Sequence, residues 1–169
     1  MTRRELEVTD PAQILEILDK CKILHLGLVD DGMPYIVPMN FGFTMEEGRL
    51  TLYMHCAVKG YKLDVIRKNP VCCFEMECDV EAFEGKVACQ YGTAYASLMG
   101  RGRVEIVEDV PEKIRLMSLF MKSQTGKDFE FNDRLVSVVT LLRVDVNEYT
   151  AKRRLLPAVI RMERGEVVE

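Results

Sequence analysis

Apolar residues first recur at helical spacing at Ile14, Ile17, Leu18 and Cys21, marking one face of a helix predicted over 11–21. Asp10 stands where a cap is needed, Pro11 suits the first helical position, and Gln13 has the spacing of a capping box. From residue 23 the pattern turns β-like, with strands predicted over 23–29, 35–43 and 49–55. Asp30-Asp31-Gly32 and Glu46-Glu47-Gly48 supply turn chemistry between them, so two successive hairpins are expected. Pro34 and Pro38 cannot donate to a ladder, which puts parts of the second strand at an edge or a bulge.

A short helix over 59–68 ends at Asn69-Pro70. A fourth strand covers 71–77 and an acidic connection 78–86. Residues 92–107 are long for one strand, and Gly100 and Gly102 predict a bend or bulge within it. A helix over 111–125 turns Ile114, Met117, Phe120 and Met121 inward and stops at Gly126. A last strand runs over 135–146, and the tail from 151 carries Lys152, Arg153 and Arg154 before its pattern fades. No repeat, low-complexity tract or linker interrupts the chain. Six strands and three helices predict an α+β, Greek-key-like antiparallel barrel, a single domain over 1–169 with a peripheral tail from about 155.

Composition narrows the function. A chain of 169 residues with 48% hydrophobic and 30% charged positions can build a sizeable core and is not globally disordered. Its net charge of -4 disfavours a general nucleic-acid binder but leaves room for a local basic patch. Met-Thr-Arg-Arg passes straight into Glu-Leu-Glu-Val, so no secretory signal is read, and no apolar run has membrane-spanning length. A soluble cytoplasmic protein is expected. The six cysteines then read as reduced thiols. Cys73 with Cys78, plus His55-Cys56, is the nearest approach to a metal pattern, and no metal is expected.

The chemistry concentrates in 53–62, where a strand ends, a loop turns and a helix begins. Helix starts present unpaired N–H groups that suit a phosphate, Gly60 permits close approach, and Lys59 and Lys62 add positive charge. Two solvated lysines on an ordinary helix start remain the competing reading. His55 could donate to a ligand or shuttle a proton near neutral pH, or be a structural histidine bonded to a turn carbonyl. Asn40, in an apolar strand, needs a buried partner or faces solvent. Cys56 beside the lysines is small-residue packing or a low-pKa thiol. His25 reads as core or sheet-face packing, and Lys152–Arg154 as a solvated run rather than a phosphate clamp.

The run His55-Cys56-Ala57-Val58-Lys59-Gly60-Tyr61-Lys62, followed by Asp64 and Lys68-Asn69-Pro70, resembles the 5-nitroimidazole-resistance (Nim-like) flavoproteins. These are FMN-binding members of the pyridoxamine 5′-phosphate oxidase-like split-barrel superfamily. The resemblance extends to residues 35–41, 95–104, Lys122-Ser123-Gln124-Thr125-Gly126 and Thr150-Ala151-Lys152-Arg153. It implies a split barrel that binds FMN at a homodimer interface. Val37, Pro38, Met39 and Asn40 would line the flavin ring, His55, Lys59, Gly60 and Lys62 would surround its phosphate and nearby ring edge, and Ser97 could reach the cofactor. His55 is the candidate catalytic residue. Ala96 departs from the arginine of many relatives, and Arg154 matches no family motif. With His25 and His55 the only histidines, the Arg-x-His motif of true pyridoxamine-phosphate oxidases is missing. The implied activity is a flavin-dependent reductase acting on small acceptors such as nitroaromatics; the alternatives are a non-catalytic flavin carrier or redox sensor, or a barrel holding haem or a deazaflavin.

Overall fold

In the computed structural model, which describes residues 3–165, a two-residue strand β1 (Glu7–Val8) precedes helix α1 (Pro11–Lys20). The Asp10 carboxylate caps α1 by accepting from the Ala12 N–H at 3.0 Å. Gln13 departs from the capping-box expectation: its amide donates to the Asp10 carboxylate at 3.4 Å and does not reach back to the backbone. Ile14, Ile17, Leu18 and Cys21 all pack into the core, as their spacing requires.

Two tight turns fix the next four strands, β2 (Ile23–Asp30), β3 (Met33–Asn40), β4 (Gly42–Glu46) and β5 (Arg49–Ala57). Asp31 and Gly32 have φ of 48° and 84°, and Glu47 and Gly48 have 49° and 79°. Two consecutive left-handed residues match the twist of the strands they join, so both hairpins form as expected. The predicted strand over 35–43 is in fact two, broken at Phe41. The chain continues through α2 (Tyr61–Lys68), β6 (Val71–Phe83), β7 (Gly92–Val107), α3 (Val110–Thr125), α4 (Asp133–Val136), β8 (Val139–Arg154) and α5 (Ala158–Glu163).

All strand pairs are antiparallel, in the order β3-β2-β6-β7-β8-β5-β4, with β1 on the far end of β8. β3 and β4 therefore lie at opposite edges, although Phe41 alone separates them. One intervening residue spans no more than about 7 Å between Cα atoms, so the sheet must curl until its edges meet. The result is a barrel split between β3 and β4. Pro34 and Pro38 sit on β3, whose outer side carries no ladder.

Among the described residues there are eight strands rather than six, because β1 is added and the predicted second strand divides at Phe41; the bounds of the others shift for local reasons. The acidic connection over 78–86 is largely strand: β6 runs to Phe83, absorbing an extra residue in a bulge after Cys78 where Asp79 has φ 54°. Leu135 and Val136, expected in the last strand, form a helical turn capped by the Asn132 side chain. β8 then extends to Arg154 because β7 and β1 both pair with its polar end. The bend foreseen at Gly100–Gly102 appears as a register shift between Arg101 and Gly102. Among the described residues five α-helices replace the expected three, one of them α5 in the tail, which buries none of its residues. Residues 1–2 and 166–169 lie outside the described residues.

The barrel encloses one cluster built on Leu24, Leu26, Leu52, Phe74, Leu98 and Leu142, with α1 and α2 closing it. α3 covers a second, smaller cluster of Tyr53, Val107, Leu116, Met117, Val136 and Leu141. Leu116, rather than the expected Met121 and Ile114, is fully buried beneath α3, and Gly126 ends the helix at φ 71°. Among the described residues no helix is long and apolar enough to cross a membrane.

The seat of α3 on β4 gives the first prediction. A Cβ at Gly42 would lie 2.8 Å from the Phe120 Cα and 3.4 Å from the Ser123 Cβ, which are helix backbone and its nearest side-chain atom. Gly42→Ala should cost about 1–3 kcal/mol in urea unfolding, through displacement of α3. An unchanged midpoint would mean that α3 is not seated so tightly.

Candidate functional site

β5 ends and α2 begins across Val58-Lys59-Gly60, leaving a helix start with no side-chain cap. Gly60 cannot supply one, and its neighbourhood is open: nothing lies within 4 Å of where a Cβ would stand. The Leu63 N–H turns back to the Gly60 carbonyl at 2.9 Å, which leaves the N–H groups of Tyr61 and Lys62 without intrahelical partners. Lys59 is exposed, while Lys62 reaches back to the Met39 sulfur on β3 at 3.2 Å. Neither lysine makes an ion pair among the described residues, so a cluster of uncompensated positive potential stands beside a bare helix N-terminus. Asp64, in the first turn, is drawn away by Arg67 at 3.1 Å. Tyr61 anchors the helix start to the β2–β3 hairpin by donating to Asp30 and packing edge-on against Tyr35.

His55 lies on β5 just before this loop, paired with Leu141 of β8. It shares a face with Thr51 and Tyr53, and that face is covered: Tyr53 is buried beneath α3, its hydroxyl hydrogen-bonded to Thr44, and His55 packs edge-to-face on Phe120 with ring centroids 4.7 Å apart. Its Nδ1 is buried without a hydrogen-bond partner. Burial alone holds the imidazole pKa below its ordinary value of 6.5, so His55 is neutral at physiological pH. Cys56 follows the packing reading, because burial pushes its thiol up more strongly than Lys62 pulls it down.

Of the β3 residues, Met39 is buried and Val37 half-buried, whereas Pro38 and Asn40 are exposed. Asn40 has found its partner in the chain itself, donating to the Lys22 carbonyl at 3.1 Å. Gln124 donates to the same carbonyl at 3.2 Å and to the Phe41 carbonyl at 2.5 Å. One backbone oxygen thus ties β3, the end of α1 and the end of α3 together. Sequence reading had missed Gln124 and Phe120 as neighbours of the site. The signal for Gln124 was a polar residue at the end of an amphipathic helix, inside the Lys122–Gly126 run.

Ser97 is placed elsewhere. It is buried on β7 between Glu77 and Lys152, and opens with Glu75, Thr93 and Tyr95 on a concavity of about 290 Å³ on the outer face of the sheet. His55 is not among the residues that line this concavity. The same outer face holds a larger groove of about 810 Å³ over His25, Ile36, Met99 and Tyr149, where Ile36 and Met99 are exposed. His25 stands there 3.5 Å from Glu75 and 3.9 Å from Glu77. Burial and the adjacent Glu77 raise the Glu75 pKa. Ala96 points the other way, fully buried in the barrel, so its side-chain position gives no access to this face. Lys152 lies over the Tyr95 ring, Arg153 pairs with Glu16, and Arg154 stacks on Phe83, so the basic run is half-buried and packed rather than simply solvated. Cys73 is exposed and Cys78 packs against the core, so they face apart and share no ion.

The family model described as pyridoxamine 5′-phosphate oxidase matches residues 10–153. The chain matches no curated protein. It is similar to a crystal structure from Bacteroides thetaiotaomicron, provisionally assigned to 5-nitroimidazole antibiotic resistance, at 30% identity and a TM-score of 0.75, covering 88% of this chain and 86% of that one. The flavocytochrome Anf3 from Azotobacter vinelandii shares the fold at 19% identity and a TM-score of 0.75, over 93% of this chain and 73% of that one. A FAD- and heme-binding protein from Mycobacterium smegmatis does so at 16% identity and a TM-score of 0.71, over 95% and 80%.

The depressed pKa of His55 has a definite sign in stability. The unfolded chain takes up its proton near pH 6.5 and the folded chain only at lower pH. The contribution is therefore full above 6.5 and is lost as pH falls through the folded value. In paired unfolding titrations the wild type should lose stability over that window relative to His55→Phe. Parallel curves would show that burial does not hold the imidazole neutral.

Proposed function

The chain belongs to the pyridoxamine 5′-phosphate oxidase family, and from that premise we propose that it binds FMN and reduces small acceptors such as nitroaromatics in the cytoplasm. The observation that carries this reading is the pairing of an unpartnered, buried His55 Nδ1 with two unpaired lysines at an uncapped helix start. Buried polar atoms are almost always satisfied, so an orphan beside an anion-ready loop fits a group that both would touch. The 5-nitroimidazole-resistance assignment of the Bacteroides relative supports the acceptor class.

In this reading Lys59, Lys62 and the first N–H groups of α2 hold the phosphate, with Gly60 leaving the backbone open to it. Val37, Pro38 and Met39 line the ring through the exposed backbone edge of β3. Asn40 keeps its Oδ1 for the ligand while its amide stays on Lys22. The flavin, when bound, supplies reversible electron and hydride transfer. His55 Nδ1, neutral at physiological pH, holds or accepts a proton beside it.

Ser97 bears on assembly. Its concavity lies on the outer sheet face and His55 lies under α3, so the two serve one flavin only if two copies each contribute a part. We therefore read the protein as a homodimer in which a second copy covers the outer sheet face at Ile36 and Met99.

Three measurements test the proposal. Titrations should give much tighter binding of FMN than of riboflavin, and Lys59→Glu with Lys62→Glu should erase the difference; equal affinities in the wild type would sink the phosphate assignment. Light scattering of the FMN-loaded protein should report a dimer, and a flavin-bound monomer would defeat the shared site. Stopped-flow reoxidation by nitro compounds, normalised to bound flavin, should slow about 10²-fold in His55→Ala. Flavin that binds but passes electrons to no acceptor in the panel would make the protein a carrier or sensor.

A further inference from the structure

We propose that Cys21 and Cys78 form a modification site: a dithiol that a hydroperoxide converts to an internal disulfide, pinning the end of α1 to the bulge of β6. Cys21 closes α1, its N–H donating to the Ile17 carbonyl at 3.0 Å. The Cys78 sulfur lies 4.0 Å from the same oxygen, and the two thiols are near enough for each to shift the other's ionisation. The flanking residues hold the pair in place. Lys20, just before Cys21, bridges to Asp79, just after Cys78, at 2.9 Å, and to Glu16 at 2.8 Å. Asp79 sits in the bulge at φ 54°, where the strand has slack to adjust.

Access differs between the partners in a useful way. Cys78 is half-buried and Cys21 is only 3% exposed. The Cys78 sulfur therefore meets the peroxide first: an S–O bond forms, the O–O bond breaks, and the thiol proton leaves with the departing oxygen, as water from hydrogen peroxide or as an alcohol from an organic hydroperoxide. The Cys21 sulfur then attacks the Cys78 sulfur, the S–O bond breaks, and water leaves with the second proton. Two thiols lose two electrons and one hydroperoxide, with hydrogen peroxide as its simplest member, gains them. Burial raises the pKa of both thiols, so the reaction is slow and the product resists exchange with small thiols. The site is thus a lock for sustained oxidation rather than a rapid sensor.

The remaining cysteines offer no equal pair. Cys72 and Cys73 adjoin in sequence but point to opposite faces of β6, Cys56 lies in the β5–α2 region, and Cys89 is exposed by itself. The lock also has a direct structural consequence. Lys22, next to Cys21, offers the carbonyl on which Asn40 and Gln124 converge. Cross-linking therefore stiffens the junction of α1, β3 and α3.

The test exposes the folded full chain to hydrogen peroxide over hours, blocks free thiols, digests, and maps disulfides by mass spectrometry alongside thermal unfolding. A peptide joining Cys21 to Cys78 should appear and vanish with dithiothreitol, and the unfolding midpoint should rise by roughly 5–10 °C. Cys78→Ser and Cys21→Ala should each abolish both effects, while the double variant Cys73→Ser, Cys89→Ser should keep them. If Cys21→Ala does not fold, the half-buried Cys78→Ser decides alone. Cys21 and Cys78 persisting as thiols, oxidation confined to Cys73 and Cys89, or a cross-link that fails to raise the midpoint would each overturn the proposal.

Discussion

Phe41 is the one residue between the last position of β3 and the first of β4, and these strands are the two edges of the sheet. That covalent constraint forces closure. A sheet of this size could otherwise remain open and twisted, with its edges far apart. Here the edges cannot separate by more than a peptide or two at Phe41, whose side chain is 1% exposed and anchors the crossing inside the core. The rest of the architecture, from the enclosed apolar cluster to the helix seated on β4, follows from where that crossing holds the chain.

The same crossing assembles the candidate site. It brings Asn40 to the Lys22 carbonyl at the end of α1, and Gln124 at the end of α3 binds both that carbonyl and the one on Phe41 itself. Gly42, immediately after, has no Cβ, so α3 lies close enough for Phe120 to cover His55. Lys62 meets Met39 across the gap between α2 and β3. Backbone oxygens at chain crossings, rather than long side-chain networks, carry most of this order. Such contacts are rigid, which suits a surface that must stay preorganised for a ligand.

Charge is distributed to match. Most lysines and arginines are committed to carboxylates or aromatic rings, as Arg153 is to Glu16 and Arg154 to Phe83. Lys59 and Lys62 are among the basic residues with neither kind of partner among the described residues, although the chain as a whole carries a net charge of -4. On the outer face the balance reverses, with Glu75 and Glu77 crowded against His25. A flavin shared between two copies, as proposed above, gives these two faces a common reading.

Local patterns were legible wherever a residue's own chemistry dictated the outcome. The αL turns at Asp31-Gly32 and Glu47-Gly48, the Asp10 cap, the Gly126 stop and the edge character imposed by Pro34 and Pro38 all depend on backbone sterics within a few residues. The run from His55 to Lys62 was legible for the same reason, since a strand, a glycine loop and a helix start are local objects. What the sequence could not decide was anything that a distant segment supplies. The break at Phe41 is invisible in an apolar run that reads as one strand, because only the sheet order separates its halves. Cys78 onward looked like a loop because its acidic residues are polar, yet the ladder to β7 makes it strand. Nothing in the residues of the Tyr53–His55 face announces the helix α3 that covers it. Side-chain period tells which residues share a face; only the tertiary structure decides what, if anything, lies on it.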